Sequence, residues 1–213
     1  MSTRSVILGF ITILALATPG LAQPPVPPLD PPVGNGPQGG FFNIGDCTVV
    51  DGTAEITSLT DTDVEGTLAG DLEGAFANLR AAVRYLQGLP QVSGERLASV
   101  GWCFGGGWSY QMAKNDLGVR ASVMYYGRFS VADDLSRMRA LILGNFGEED
   151  RSISVDSVRE FQATLRTLSG AHEVYIYPNA GHAFANEDSA SYNREAAELA
   201  WRRTLAFLEK HLH

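Results

Sequence analysis

Residues 101–106 read Gly-Trp-Cys-Phe-Gly-Gly and place a thiol between a β-prone run and a helix-compatible run. A strand, a tight glycine turn and a helix with a reactive side chain at the apex are typical of a nucleophile elbow. The glycines let the helix pack close to the strand, and the strained turn exposes the apex residue Cys103. Since thiolates are strong nucleophiles, the motif predicts covalent catalysis through Cys103. The alternative is a buried structural cysteine beside a glycine turn.

An acid and a histidine each follow a later β-prone run. Asp150 ends the loop after residues 141–146, and His182 ends the loop after residues 174–177. Active sites of such sheets lie at the carboxyl ends of the strands, so both side chains should meet Cys103 there. The chain order nucleophile, acid, histidine is that of α/β-hydrolases. We therefore predict a triad of these three residues, with the neighbouring glutamates as the next candidates for the acid, Glu148 and Glu149.

From about Asp71 to its C-terminus the chain resembles the dienelactone hydrolase family. The matching stretches are residues 101–106, Tyr125-Tyr126-Gly127, residues 147–150, Gly181-His182-Ala183-Phe184 and residues 200–205 of the closing helix. The resemblance implies an α/β-hydrolase fold with Cys103 as nucleophile, His182 as general base and Asp150 as its orienting acid. It also implies that the backbone N–H of Phe104 is one oxyanion donor.

Four aromatic residues stand next to the predicted catalytic residues along the chain. Trp102 and Phe104 flank the cysteine, while Tyr126 and Phe184 lie in two strand-end loops. We expect Trp102, Tyr126 and Phe184 to line a substrate pocket, with Phe104 close to the sulfur. Ordinary core packing is the alternative, above all for Trp102.

The N-terminal part of the chain, called the front segment below, differs from that of the family. Family members begin with a segment of strands and a helix that supplies the second oxyanion donor, and residues 1–70 show no such segment. Family members that bind a substrate carboxylate use arginines, one of them four residues past the histidine, where this chain has Asn186. A neutral or differently charged ester or lactone is therefore the expected substrate.

Residues 1–22 have the features of a secretory signal peptide: Arg4, an apolar run over residues 6–16 and small residues up to Ala22. Residues 23–40 form a Pro/Gly-rich linker, and residues 41–213 are expected to form one hydrolase-like domain of about 170 residues. These features predict a secreted or periplasmic protein with no stable membrane anchor.

The remaining pattern predicts an α/β fold, a partial α/β-hydrolase with a mostly parallel sheet and helices on both faces. Apolar residues recur at helical spacing after Leu72, after Val155 and before the C-terminus, and β-prone runs lie between them. Asp51-Gly52 between two further β-prone runs predicts a hairpin. Without the early strands, the elbow strand has an open apolar edge. Three alternatives stay open: the hairpin covers this edge, a second copy of the chain covers it in a homodimer, or the chain has lost part of the fold.

Composition excludes several functions. The net charge is −8 and no basic cluster is present, so a nucleic-acid partner is not expected. The four histidines show no ligand spacing beyond the terminal pair His211 and His213, which is expected to be a frayed helix end, so no metal is expected. The predicted chemistry needs no cofactor. A Cys47–Cys103 disulfide would disable the thiol and is the rival interpretation in an exported protein.

The function predicted from the sequence is hydrolysis of carboxylic esters or lactones through a thioester intermediate. The alternative is a catalytically weak or silent hydrolase-like binding or structural module, because the front segment is absent. A papain-like protease fits less well, since in those enzymes the cysteine lies near the mature N-terminus and the histidine far downstream.

Overall fold

The computed structural model describes residues 11–17, 47–50, 53–56, 72–89 and 92–212. The strands of this part of the chain are β1 (Ile11–Ala17), β2 (Cys47–Val50), β3 (Thr53–Ile56), β4 (Val92–Trp102), β5 (Ala121–Tyr125), β6 (Leu141–Gly147) and β7 (Glu173–Tyr177). The helices are α1 (Leu72–Gly88), α2 (Phe104–Lys114), α3 (Val155–Thr167) and α4 (Arg194–Leu212).

One sheet contains all of these strands, in the order β2-β3-β1-β4-β5-β6-β7. Strands β4 to β7 are parallel and follow one another in both chain and sheet. The residues of the two inner strands β5 and β6 are largely buried on both faces, as expected for a parallel sheet covered by helices. The predicted α/β fold is confirmed.

The helices cover both faces of the sheet, as the alternating pattern predicts. Leu86 of α1, Tyr110 of α2 and Phe161 of α3 belong to one hydrophobic core. Phe207 of α4 packs with Val123 of β5 in a second core on the other face. Among the described helices, none is long and apolar enough to cross a membrane.

The edge of β4 differs from the prediction. Strand β1 pairs antiparallel with β4, with Ile11 opposite Gly101 and Ala15 opposite Leu97. The predicted hairpin is confirmed as β2 and β3, but it pairs with β1 and not with β4. The expectation of an open β4 edge, or of an edge covered by the hairpin alone, is therefore wrong. The reason is that an apolar run of this length is compatible with either the apolar core of a signal peptide or a buried strand, and its pattern does not distinguish the two.

The predicted leader, residues 1–22, thus overlaps a strand of the sheet. The removal of residues 1–22 as a signal peptide stays a prediction, and the predicted linker, residues 23–40, lies outside the described residues.

The elbow requires a very close approach of backbones. A Cβ atom on Gly101 would overlap the carbonyl group of Gly105, in the first turn of α2. Below this contact, the buried hydroxyl of Ser99 hydrogen-bonds Ser109 and Ser122, each at 2.8 Å, and so ties β4 to α2 and β5. The first turn of α2 therefore packs directly against β4, the strand that precedes it.

We predict that Gly101→Ala destabilises the protein by about 2–4 kcal/mol, because the new methyl group meets backbone that cannot move without breaking the elbow. Gly88→Ala is the matched control, since its Cβ would meet nothing within 4 Å. The measurement is urea unfolding followed by circular dichroism. Equal midpoints for the two variants would contradict the packing argument.

Candidate active site

Backbone hydrogen bonds join the loops that follow the four parallel strands. The Cys103 N–H donates to the Tyr125 carbonyl at 3.1 Å, and the Tyr126 N–H donates to the Asn145 carbonyl at 2.8 Å. The Glu149 N–H donates to the Ala180 carbonyl at 2.8 Å. Loop residues far apart in sequence are thereby held together at the carboxyl end of the sheet, as predicted.

Asp150 and His182 form a direct hydrogen bond. The distance between His182 Nδ1 and Asp150 Oδ2 is 2.8 Å, and the Asp150 side chain is fully buried while that of His182 is about one third exposed. A carboxylate only accepts hydrogen bonds, so Nδ1 carries the proton and Nε2 is left for the thiol. Glu148 and Glu149, the next candidates for the acid, are exposed.

Cys103 is a half-buried free thiol on the other side of the imidazole. Hydrogen bonds to Asp150 and to Cys103, together with the charges of both, raise the pKa of His182 to about 9, although burial lowers it. The protonated imidazole is therefore favoured between a carboxylate and a thiol. Such a chain is suited to holding on His182 the proton that the thiol gives up.

Several hydrogen bonds determine the ionisation of Asp150. Burial raises the pKa of this carboxyl, but the hydrogen bonds from His182 and Ser152 and the charge of His182 outweigh burial and lower it. Asp150 is thus ionised at neutral pH, as a group that orients an imidazolium must be.

Cys103 has backbone angles of φ 51° and ψ −116°, and α2 begins at the next residue. The N–H groups in the first turn of a helix have no partner within the helix, and Cys103 directly precedes this turn. Within the described residues no acceptor for the Phe104 N–H is present. This N–H is therefore available to a developing oxyanion beside the sulfur.

A cavity of about 590 Å³ opens over Cys103 and His182. Phe76, Phe104 and Trp108 form an aromatic wall, with ring centroids 5.6 Å apart for Phe76 and Trp108 and 6.2 Å apart for Phe104 and Trp108. The polar side of the lining consists of Gln111, Lys114, Asn115, Arg128 and Ser152.

Besides His182, the lining of this cavity contains two charged side chains, Lys114 and Arg128, and both are cations. Lys114 forms an ion pair with Asp133 at 2.6 Å, whereas Arg128 has no hydrogen bond or ion pair within the described part of the chain. In a protein of net charge −8, the described lining of this cavity contains no acidic residue. The cavity therefore attracts negative charge.

Of the four aromatic residues expected near the thiol, two line the cavity and two do not. Phe104 and Tyr126 line the cavity, and the Tyr126 ring centroid lies 5.2 Å from that of His182. Trp102 is not in the lining, because it points to the opposite side of the strand end and stacks on Tyr125 at 5.3 Å. Phe184 is not in the lining either.

Phe184 is fully buried beneath the site. Its ring centroid lies 5.1 Å from that of Tyr177 and 5.3 Å from that of Tyr126. Ala183, just before it, has φ 63°, so the turn directs Phe184 into the core below His182. Phe184 supports the histidine loop and does not reach the cavity.

Several residues of the site were missed in the sequence. Phe104, Trp108 and Gln111 of α2 and its C-cap residue Asn115 follow one another at helical spacing, so extending the elbow helix by three- and four-residue steps could have found the last three. Arg128 and Ser152 lie in loops, and no periodic signal points to them.

The described residues contain no group of three or more His, Cys, Asp or Glu side chains placed to hold a metal ion. The rival disulfide does not form, since Cys103 is free and Cys47 begins β2, which β3 and β1 separate from β4.

Comparisons with known proteins agree with this fold. The model of the dienelactone hydrolase family matches residues 53–212, a match that begins earlier than Asp71. A probable 2-oxo-3-(5-oxofuran-2-ylidene)propanoate lactonase from Bradyrhizobium is 33% identical over 143 residues, 62% of this chain and 57% of the relative. A putative carboxymethylenebutenolidase from Escherichia coli is 31% identical over 126 residues, 54% of this chain and 46% of the relative.

The chain thus spans about half the length of the curated relatives it matches. Among solved structures, a putative dienelactone hydrolase from Klebsiella pneumoniae superimposes with a TM-score of 0.57 at 29% identity, over 63% of this chain and 60% of that one.

We predict that stability depends on pH through His182. Its folded pKa of about 9 exceeds the ordinary 6.5, so its contribution is complete below about pH 6.5 and is lost as the pH rises through 9. The free energy of unfolding of the wild type, relative to His182→Gln, should fall over that interval. Urea titrations at several pH values measure it, and parallel pH curves for the two proteins would contradict the assignment.

Proposed function

Since the chain belongs to the dienelactone hydrolase family, we propose that it hydrolyses carboxylic esters or lactones through a thioester on Cys103. The observation that carries the proposal is the continuous chain from Asp150 through His182 to the free thiol, below an open cavity. No cofactor is needed for this chemistry.

In the first half-reaction His182 Nε2 takes the proton of the Cys103 thiol, and the sulfur attacks the ester carbonyl carbon. The Phe104 N–H donates to the oxyanion that forms, an interaction worth about 3–4 kcal/mol in such sites. The tetrahedral intermediate collapses, the C–O bond breaks, and the leaving alkoxide takes the proton back from His182. A lactone opens in the same way, and its alcohol stays attached to the acyl group.

In the second half-reaction His182 removes a proton from water, and the hydroxide adds to the thioester carbonyl. Collapse of this intermediate breaks the C–S bond and releases the acid, and the sulfur is again left beside the protonated His182. Asp150 remains ionised throughout and holds the imidazole in the tautomer that both steps require.

We predict that Cys103→Ala lowers the turnover of p-nitrophenyl acetate by about 10³-fold or more, since the covalent route is lost. The wild type should in turn show a transient mass increase of one acetyl group on the peptide that contains Cys103. Turnover of the wild type is expected to be weak, because the front segment that provides the second oxyanion donor in the family is where this chain departs from it. Equal rates for wild type and Cys103→Ala would favour the alternative, a catalytically silent module.

We further propose a substrate that carries a negative charge away from the scissile ester. The unpaired Arg128 and the absence of acidic residues from the described lining support it, and Arg128 offers a cation from a different loop than Asn186. The relatives' names, which include a propanoate lactonase, are consistent with such a substrate. The expectation of a neutral or differently charged ester rested on Asn186 and on the N-terminal segment in which this chain departs from the family.

We predict that Arg128→Gln lowers kcat/KM for 4-acetoxybenzoate about fivefold, equivalent to about 1 kcal/mol for an exposed charge pair. The value for methyl 4-acetoxybenzoate, which has the same shape but no charge, should stay within about twofold of the wild type. High salt should reduce the difference between the two esters. An equal loss for both esters would show that Arg128 acts on the fold and not on the charge.

Export and self-association are also proposals. Residues 1–22 support export, and an intact-mass measurement on protein from a periplasmic fraction tests for their removal. For a dimer through a sheet edge, the outermost strands of the described sheet are β2 and β7, and sedimentation measurements test for it.

A further inference from the structure

Ser152 lies between the two residues that orient the thiol. Its hydroxyl oxygen is 2.7 Å from Asp150 Oδ1 and 3.1 Å from His182 Nδ1, and its side chain lines the cavity. The sequence alone gives no reason to choose this serine, since it is one of several polar residues in the loop before α3.

The hydrogen bonds of Asp150 can be assigned completely. Oδ2 accepts from His182 Nδ1 at 2.8 Å. Oδ1 accepts from the Ser152 N–H at 2.8 Å, from the Ser152 hydroxyl at 2.7 Å and from the Ile153 N–H at 3.1 Å. A fully buried carboxylate needs this number of donors, since water does not reach it.

The direction of the Ser152 bonds follows from proton counts. A carboxylate has no proton to give, so the single hydroxyl proton of Ser152 goes to Asp150 Oδ1. The lone pairs of the hydroxyl oxygen then face the N–H at His182 Nδ1, which is shared between Asp150 Oδ2 and Ser152. The hydroxyl therefore fixes the rotation of both the carboxylate and the imidazole.

We infer that Ser152 is a positioning residue of the site, whose hydroxyl sets the angle at which His182 faces Cys103. For catalysis this inference rests on the proposed function, but the hydrogen bonds on which it depends exist whether or not the protein turns over an ester.

A merely structural role for Ser152 fits the geometry less well. The residue that caps α3 is Ser154, whose hydroxyl accepts from the Ser157 N–H at 3.2 Å. Without its hydroxyl, residue 152 would still donate its own N–H to Asp150, and the Ile153 N–H would do the same. Ser152→Ala should therefore fold normally.

Removal of the hydroxyl has a defined electrostatic effect. Asp150 loses one donor, which raises its pKa, and His182 loses an acceptor at Nδ1, which lowers its pKa. The titratable groups that face His182 are Asp150, Cys103 and, through its ring, Tyr126. None of these residues is substituted in the variant, so a shift in the His182 pKa results from the missing hydroxyl, directly or through its hydrogen bond to Asp150.

The experiment compares Ser152→Ala, Ser152→Thr and a control, Ser157→Ala, which also loses a loop-side hydroxyl bond of 2.7 Å but lies away from the cavity. The first readout is an NMR titration of the His182 ring, which needs no activity. We expect the midpoint to move to lower pH in Ser152→Ala, and to stay at the wild-type value in Ser152→Thr and Ser157→Ala.

The second readout is kinetic. We expect kcat for p-nitrophenyl acetate to fall about tenfold in Ser152→Ala with KM within about twofold, and to recover in Ser152→Thr. If the wild type is inactive, the proposed function fails while the NMR titration still decides the role of Ser152. An unchanged His182 midpoint in Ser152→Ala overturns the inference, as does an equal shift in Ser157→Ala.

Discussion

The close approach of α2 to the backbones of β4 and β5 is the constraint on which the rest of the site depends. Gly101 leaves no room for a side chain against Gly105, and Gly127 likewise lies against the backbone of Gly106. Because the chain must turn from strand to helix within this space, Cys103 adopts a conformation that residues with a side chain rarely take. The strain at Cys103 and the position of its thiol at the start of the helix therefore have one origin.

The second element of the site is a buried charge that is fully hydrogen-bonded. Asp150 would be costly to bury alone, and it is held ionised by donors from the loop that follows it and from His182. Backbone bonds between the strand-end loops fix where these donors lie, so the sheet positions the imidazole through main-chain geometry. The cavity over these residues has an aromatic wall and an exposed cation, Arg128.

Much of this arrangement could be predicted from the sequence, because its signals are local. The glycines around Cys103 indicate a turn, and the chain order of Cys103, Asp150 and His182 indicates the α/β arrangement. The rest depends on contacts between distant residues. Trp102 and Phe184 were expected in the pocket, but the direction of a ring at a strand end follows from the neighbouring strand and, for Phe184, from the φ of Ala183. Strand β1 was missed because an apolar run looks the same in a leader and in a sheet.

The position of β1 has a kinetic consequence. It is the earliest described strand to leave the ribosome, yet its partner β4 ends only at Trp102, after nearly half of the chain has been made. Pairings between such distant segments form slowly, since a long loop must close before any contact stabilises it. During that interval an apolar segment has no native partner and is open to chaperones, to export factors or to other chains. Whether β1 pairs with β4 thus depends on whether β4 is synthesised before another protein binds β1.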